Sequence, residues 1–222
     1  MRNLHHHRLC LAALILVTFH TLFTKTSALS LSPNQQTSIV TGANGYLGRE
    51  IVHALQTDSQ TPTPTQIYCL VRAQRVKEEQ EYWDSILEKP CDITVLPYDM
   101  LDGGASITQA LKKAKLDNLD DAECCIYHVA SVFSLREDHE GMAHENVKGA
   151  TDLMKAASHF KNVRVVLTSS MAAVRAGGQV PINKKWYTHE DWNTESVLGK
   201  NWGNSYQWSK AESEKVRIVQ GS

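Results

Sequence analysis

The chain has 222 residues, of which 42% are hydrophobic and 21% are charged. These fractions lie close to globular averages, so the composition excludes collagen-like, coiled-coil and wholly disordered chains, and the length fits one domain. The formal net charge is −1 and no Lys/Arg-rich run occurs, so we expect no nucleic-acid partner. The five cysteines include no C-x-x-C pair, and we therefore predict neither a metal site nor a disulfide framework.

The N-terminal segment has the features of a targeting sequence. Residues 9–23 are an apolar run behind a basic stretch, and the run is shorter than the roughly 20 apolar residues of a membrane span. Small residues up to Ala28 follow, so we predict a secretory signal peptide over residues 1–28 and no span in the mature chain; an uncleaved signal anchor is the alternative. Residues 29–36 form a linker with transit-peptide composition, which indicates the secretory pathway or an organelle reached through it.

The remaining residues, 37–222, alternate short apolar runs with amphipathic stretches. Strands are predicted at residues 38–42, 67–72, 92–100, 123–131 and 163–170, and helices at 46–56, 75–89, 106–115, 144–160 and 203–220. This alternation predicts an α/β fold with a parallel sheet, and Pro97 places the third predicted strand at an edge. The loop over residues 172–202 is long enough to be functional.

A glycine-rich turn follows the first predicted strand. Residues 41–48 read TGANGYLG, with Gly42, Gly45 and Gly48 at a strand-to-helix junction. The first glycine permits the tight turn, the second lets a diphosphate approach the backbone, and the third lets helix and strand pack closely. The helix N-terminus then presents free N–H groups to the diphosphate, so the motif predicts a dinucleotide site.

The end of the second predicted strand carries a basic residue. A carboxylate at this position would hold the ribose 2′-hydroxyl of NAD, whereas a cation accommodates the 2′-phosphate of NADP. The residue is Arg72, Arg75 lies nearby, and no acid occurs before Glu78. The sequence therefore favours NADP over NAD.

The last predicted helix contains a Tyr and a Lys on one face. Tyr206 and Lys210 are four positions apart and are therefore neighbours on the helix surface. A nearby ammonium favours the phenolate and is expected to lower the pKa of the tyrosine, which could then exchange a proton near neutral pH.

Taken together, these motifs resemble the extended short-chain dehydrogenase/reductase family, of the NAD-dependent epimerase/dehydratase type. The similar segments are TGANGYLG at 41–48, Asp99-Met100, HVAS at 128–131, ENVKGATDLMKAA at 145–157, LTSSMAAV at 167–174 and YQWSK at 206–210. They occur in the order of the family. They are most similar to the branch of dihydroflavonol reductases, cinnamoyl-CoA reductases and 3β-hydroxysteroid dehydrogenases.

The resemblance implies a Rossmann-type, doubly wound three-layer αβα domain and a Ser-Tyr-Lys catalytic set. Tyr206 would be the general acid/base, Lys210 would bind the nicotinamide ribose, and Ser170 would bond the substrate oxygen, with Ser169 as the second candidate. The implied cofactor contacts are Gly42, Asn44, Gly45, Tyr46, Leu47, Gly48, Arg72, Asp99, Met100, Val129, Ala130, Ser131, Thr168, Tyr206 and Lys210.

Other residues have two interpretations. Asn146 is either the family's strut for strand ends or a helix N-cap. His128 is either a proton relay or a packed core residue. Four tryptophans, at positions 186, 192, 202 and 208, either line a substrate mouth or are ordinary packing.

The resemblance also implies that the C-terminal strands and most of the substrate domain are missing, since family members continue past the Tyr/Lys helix. We expect an NADP-dependent oxidoreductase that moves a hydride between nicotinamide and a small-molecule carbonyl or alcohol. The alternatives are a nucleotide-sugar epimerase or dehydratase using the same site, and a non-catalytic NADP-binding module. A homodimer is possible within the family.

Overall fold

A computed structural model describes residues 16–18, 36–57, 64, 66–86, 91–114, 123–133 and 138–216. The predicted signal peptide, apart from residues 16–18, and most of the predicted linker lie outside the described residues, as do residues 217–220 of the last predicted helix.

A six-stranded sheet forms the centre of the domain. Its strands are β1 (Leu16–Thr18), β2 (Gln36–Thr41), β3 (Gln66–Val71), β4 (Asp92–Pro97), β5 (Glu123–His128) and β6 (Val163–Thr168). They lie in the order β1-β6-β5-β2-β3-β4, and β2 to β6 are all parallel. From β2 at the centre of the parallel strands the chain winds outwards through β3 and β4 on one side and then through β5 and β6 on the other, which confirms the predicted doubly wound sheet. Pro97 lies in edge strand β4, as predicted.

On its β6 side the sheet ends in one further, short strand. Strand β1 pairs antiparallel with β6, in a register that places Val17 opposite Leu167. Cleavage after Ala28 would remove this strand from the mature protein.

Five helices flank the sheet: α1 (Tyr46–Thr57), α2 (Val76–Asp84), α3 (Ala105–Lys113), α4 (His139–Ser158) and α5 (Trp202–Glu214). Helix α4 begins five residues before its predicted start because Asp138 caps it, accepting a hydrogen bond from the Gly141 N–H at 2.8 Å. Helix α2 ends at Asp84, before its predicted end at position 89. At the observed end, the Ser85 hydroxyl donates to the Tyr82 carbonyl. None of these helices combines the length and apolar character needed to cross a membrane.

Two hydrophobic clusters lie on opposite faces of the sheet, because successive strand side chains point to opposite sides. Ile39 belongs to the cluster that α3 and α4 cover with residues such as Ile107 and Leu153. Its neighbour Val40 belongs to the cluster that α1 and α2 cover with Val52 and Trp83. The three-layer αβα prediction is thereby confirmed.

The turn between β2 and α1 requires glycine at two positions, Gly42 and Gly48. Gly42 has a φ of +65°, a left-handed conformation that favours glycine. A Cβ on Gly48 would lie 2.2 Å from the carbonyl oxygen of Gly42 and 2.8 Å from the Cα of Ala43. Helix α1 therefore packs directly against the backbone of the turn.

We expect Gly48→Ala to lower the free energy of unfolding by about 1–3 kcal/mol, because the added methyl group must displace backbone atoms. Gly177→Ala is the matched control, since a Cβ there meets nothing within 4 Å. Urea denaturation measures both variants. Equal stability of the two would contradict the close approach of α1 to the turn.

Candidate active site

A cavity of about 1000 Å³ opens at the carboxyl ends of β2, β3, β4 and β5. Ligands of open parallel sheets bind at this edge, where the strand order reverses. Eleven of the residues predicted to contact a cofactor line it: Gly42, Asn44, Gly45, Tyr46, Leu47, Arg72, Asp99, Met100, Val129, Ala130 and Ser131. Gly48, Thr168, Tyr206 and Lys210, also predicted to contact it, are not among its lining residues; Gly48 packs behind the turn instead.

The glycine-rich turn presents the start of α1 to the cavity. The Gly42 N–H donates to the Leu70 carbonyl at 2.9 Å, and the Gly45 N–H donates to the Gly42 carbonyl at 2.9 Å. The first turn of α1 contains no acidic residue. The positive end of the helix dipole therefore faces the cavity without a carboxylate to compete for it, which suits an anionic diphosphate.

The β3 end of the cavity carries Arg72, whose side chain is exposed. In the described part of the chain, no carboxylate pairs with Arg72, whereas Arg75 forms an ion pair with Glu78 at 2.9 Å. Of the two cations that the sequence placed near a 2′-phosphate, Arg72 is thus the one that is available.

The β4 end of the cavity contains two carboxylates, each of which accepts hydrogen bonds from nearby backbone N–H groups. Asp99 accepts from the Leu101 N–H at 2.9 Å. Asp102 accepts from the N–H groups of Gly104 and Ser106 at 2.9 and 2.8 Å, and so holds the start of α3. These bonds occupy carboxylate oxygens and fix the position of both side chains at this end of the cavity.

Residues 129–133, which follow β5, form one wall of the cavity (the β5 wall). Thr41, at the end of β2, fixes the backbone of this wall. Its hydroxyl oxygen accepts from the N–H groups of Val129 and Ala130, both at 3.1 Å, and lies 2.9 Å from Nδ1 of His128. Burial, and secondarily the charge of Lys210, lowers the pKa of His128 to about 3. The ring is therefore neutral at physiological pH, and the structure gives His128 a packing and hydrogen-bonding role.

The same wall is held from α4 by Asn146. Its side-chain oxygen accepts from the Val132 N–H at 2.7 Å and from the Ser131 hydroxyl at 3.2 Å, and its NH₂ group donates to the Val132 carbonyl at 2.9 Å. Because Asn146 is buried in the middle of α4, the strut interpretation is confirmed and the N-cap interpretation is wrong.

Tyr206 and Lys210 lie together on α5, beside the cavity wall. The Lys210 ammonium is 5.8 Å from the centroid of the Tyr206 ring and donates to the Ser131 hydroxyl at 3.4 Å. The Tyr206 ring stacks on Trp202 at 5.5 Å and meets the edge of Phe133 at 5.3 Å. The predicted Tyr/Lys pair is therefore linked to the cavity through Ser131.

The two candidate serines have different partners. The Ser170 hydroxyl accepts from the Ala172 N–H at 3.2 Å and caps the short helical turn of residues 171–173, which packs against α5. Ser169 is buried and donates to the carboxylate of Glu214. Ser169 is thus committed to Glu214, and Ser170 is the serine with the freer hydroxyl. Within the described chain, no hydrogen bond joins Ser170 to Tyr206.

A buried carboxylate that the sequence analysis missed lies behind the lysine. Glu214 follows Lys210 by one helical turn, and this four-residue spacing is the sequence signal that could have indicated it. Burial raises the pKa of Glu214 to about 7, and the Lys210 charge opposes that rise. Burial also lowers the pKa of Lys210, against the opposing charge of Glu214.

The long loop between β6 and α5 is anchored by two buried polar residues that the sequence analysis also missed. Asp191 accepts from the N–H groups of Ile182 and Thr188 at 2.8 and 2.7 Å, and these bonds lower the pKa of its carboxyl. Asn193 donates its side-chain amide to the Ala172 carbonyl at 2.8 Å. The loop is thereby fastened to the turn that follows Ser170.

The four tryptophans do not form one cluster. Trp202 stacks on Tyr206, whereas Trp208 packs against His144 on α4 with ring centroids 5.6 Å apart. Trp192 lies near the Lys215 ammonium, and Trp186 is 66% exposed on the loop. Only Trp202 remains as a residue of the candidate site, and Phe133 joins it.

The four cysteines of the described chain, Cys69, Cys91, Cys124 and Cys125, are free and buried. Burial raises the pKa of the Cys69 thiol, which suits a small core residue. The described residues contain no group of His, Cys, Asp and Glu that could hold a metal ion.

Comparison with known proteins agrees with this geometry. Residues 40–220 match the model of an NAD-binding family described as "Male sterility protein". The chain is 28% identical over 190 residues to sterol demethylase protein B of Methylococcus capsulatus, covering 83% of this chain and 47% of that protein. It spans about half the length of that relative.

Solved structures share the fold. A reductase engineered for asymmetric catalysis superposes with a TM-score of 0.59 at 18% identity, over 82% of this chain and 52% of that one. The Bordetella bronchiseptica enzyme WbmG, in complex with NAD and UDP, superposes with a TM-score of 0.52 at 18% identity, over 80% and 49%.

We expect Asn146→Ala to lower the free energy of unfolding by about 1–3 kcal/mol, because both backbone groups of Val132 lose their partner. Lys155→Ala, on the exposed face of the same helix, is the control and should change stability by about 0.5 kcal/mol or less. Chemical denaturation measures both. A change in Asn146→Ala no larger than that of the control would contradict the strut role.

Proposed function

The chain belongs to the NAD-binding family described as male sterility protein and has the fold of extended short-chain dehydrogenases/reductases; from this premise we propose that it is an NADP-dependent oxidoreductase. In this proposal a hydride passes between nicotinamide and a carbonyl or alcohol carbon of a small-molecule substrate. The chain spans about half the length of its curated relative, so the activity of the whole protein is part of this proposal.

One observation carries the proposal: the Lys210 ammonium reaches the Ser131 hydroxyl, which lines the dinucleotide cavity. The Tyr/Lys helix and the glycine-rich turn are separate motifs in the sequence, more than 150 residues apart. Their meeting at one cavity supports a catalytic helix placed against a bound cofactor. A module that only binds a dinucleotide has no need of this second contact.

The residues present fit such a cofactor. The turn of Gly42 and Gly45 with the start of α1 suits the diphosphate, and Lys210, behind the cavity lining, reaches Ser131 in the wall. When bound, the cofactor supplies the hydride. Tyr206 then donates its proton to the substrate oxygen during reduction, and the Lys210 charge stabilises the phenolate that remains. The Ser170 hydroxyl is the proposed donor that orients the same oxygen.

The NADP preference rests on Arg72. Its guanidinium is exposed at the end of β3, lines the cavity and has no carboxylate partner among the described residues. The residues that follow it, Ala73 and Gln74, also line the cavity and carry no charge. A dianionic 2′-phosphate would therefore meet a cation and no competing acid at this wall.

The substrate side of Tyr206 is apolar. Phe133 is 65% exposed, and its ring meets both Tyr206 and Trp202 edge to face. We therefore propose that Phe133 and Trp202 contact the substrate beside the reacting carbon and favour an apolar group there.

We expect Arg72→Gln to weaken NADPH binding by about ten- to a hundredfold, which corresponds to the loss of a charge-assisted hydrogen bond, and to leave NADH binding nearly unchanged. Arg75→Gln is the matched control because Arg75 is paired with Glu78. Fluorescence titration with each cofactor measures the two dissociation constants. A parallel loss for NADPH and NADH would contradict recognition of the 2′-phosphate by Arg72.

We expect Tyr206→Phe to reduce turnover by about 10²–10⁴-fold while NADPH binding is retained, because only the proton donor is removed. The measurement is NADPH oxidation across a panel of aldehydes and ketones, with binding titrated in parallel. Turnover retained by the variant would contradict the role of Tyr206. NADPH binding without turnover by the unmodified protein would favour the non-catalytic module.

A further inference from the structure

Glu214 is a buried carboxylate that the proposed mechanism does not use. It is 5% exposed at the end of α5, and it accepts a hydrogen bond from Ser169 at the end of β6. Burying a carboxylate away from water is unfavourable unless charged or hydrogen-bonding partners compensate for the lost hydration. An apolar side chain would pack the same helix at lower cost. The groups around Glu214 must therefore compensate for its burial.

Lys210 lies one turn before Glu214 on the same face of α5, and its charge lowers the pKa of the Glu214 carboxyl. Other titratable groups near this helix have partners of their own. On α4, His139 bonds the Ser205 hydroxyl and His144 packs against Trp208. On α5 itself, Lys215 bonds Glu212 at 2.8 Å.

The neighbouring strand contributes no charge of the opposite sign. His128, at the end of β5, is buried and neutral at physiological pH, and the charge of Lys210 disfavours its protonation. Burial by itself also works against the ammonium form of Lys210. Among the groups that face Lys210 from these elements, Glu214 is the one that favours its charge.

Lys210 needs its charge for the part it has in the proposed function. As an ammonium it has three N–H groups, one of which donates to Ser131 at the cavity wall. A neutral amine would be a weaker donor to a cofactor hydroxyl and would provide no electrostatic support for the phenolate of Tyr206.

We propose that Glu214 is a positioning residue that, held by Ser169, keeps Lys210 in its ammonium form beside the cofactor cavity. This inference rests on the proposed function for its consequence, but its physical content concerns the charge of Lys210 alone. The hydrogen bond from Ser169 strengthens the effect because it stabilises the ionised carboxylate. Glu214 ionises as the pH rises through about 7, and its support for the lysine is complete only above that pH.

The test is a titration of the Lys210 ammonium by carbon-13 NMR of labelled lysine side chains, with the signal assigned by Lys210→Arg. In Glu214→Gln we expect the pKa of Lys210 to fall by about one pH unit or more, because the nearby opposite charge is lost. Ser169→Ala should move it in the same direction by less, and Glu214→Asp should restore part of it. Glu212→Gln is the matched control on the same helix and should leave Lys210 unchanged.

NADPH affinity measured over pH 6–10 tests the functional consequence separately. The alkaline loss of affinity should begin at lower pH in Glu214→Gln than in the unmodified protein or in Glu212→Gln. An unchanged titration of Lys210 in a folded Glu214→Gln variant would overturn the inference. Should that variant not fold, an unchanged Lys210 in Ser169→Ala would overturn it. Absence of NADPH binding at every pH would overturn the proposed function and leave the NMR result to decide on Glu214.

Discussion

The first turn of α1 rests on the backbone of the turn after β2, with no space for a side chain between them. A Cβ on Gly48 would overlap the carbonyl oxygen of Gly42, so the helix can approach only because this residue is glycine. The approach aims the N–H groups of α1 at the cavity formed by the strand ends. Because β2 is the central strand, its neighbours on both sides place their carboxyl ends around the same point.

The β5 wall joins the two halves of the proposed site. Thr41 on β2 and Asn146 on α4 fix its backbone, and Ser131 within it contacts the ammonium of Lys210. Asn146 also accepts from the Ser131 hydroxyl, so the same residue orients the wall and the group that meets the lysine. The cofactor side and the α5 side of the site are thereby joined by hydrogen bonds through Ser131. These contacts explain how a helix distant in sequence can be set beside the cavity with defined geometry.

The parts of the fold that could be predicted from sequence are those with local signals. Apolar runs located the five parallel strands, and the spacing of Gly42, Gly45 and Gly48 located the turn that lines the cavity. The contacts that were missed join distant residues: Thr41 bonds a residue 89 positions away, and Ser169 bonds Glu214 across 45 positions. Such pairs lie too far apart in the chain for a local sequence pattern to indicate them. The early start of α4 escaped prediction because its cap, Asp138, is followed by a glycine in the first turn, where helix propensity is low.

The most direct test of the account is the thermal unfolding of the full chain in increasing NADPH and, in parallel, increasing NADH. A ligand held at 100 times its dissociation constant stabilises the folded state by about 2.7 kcal/mol. We predict one cooperative transition whose midpoint rises with both cofactors and rises at lower concentrations of NADPH than of NADH. A midpoint that neither cofactor moves at millimolar concentration would contradict the dinucleotide site on which the account depends.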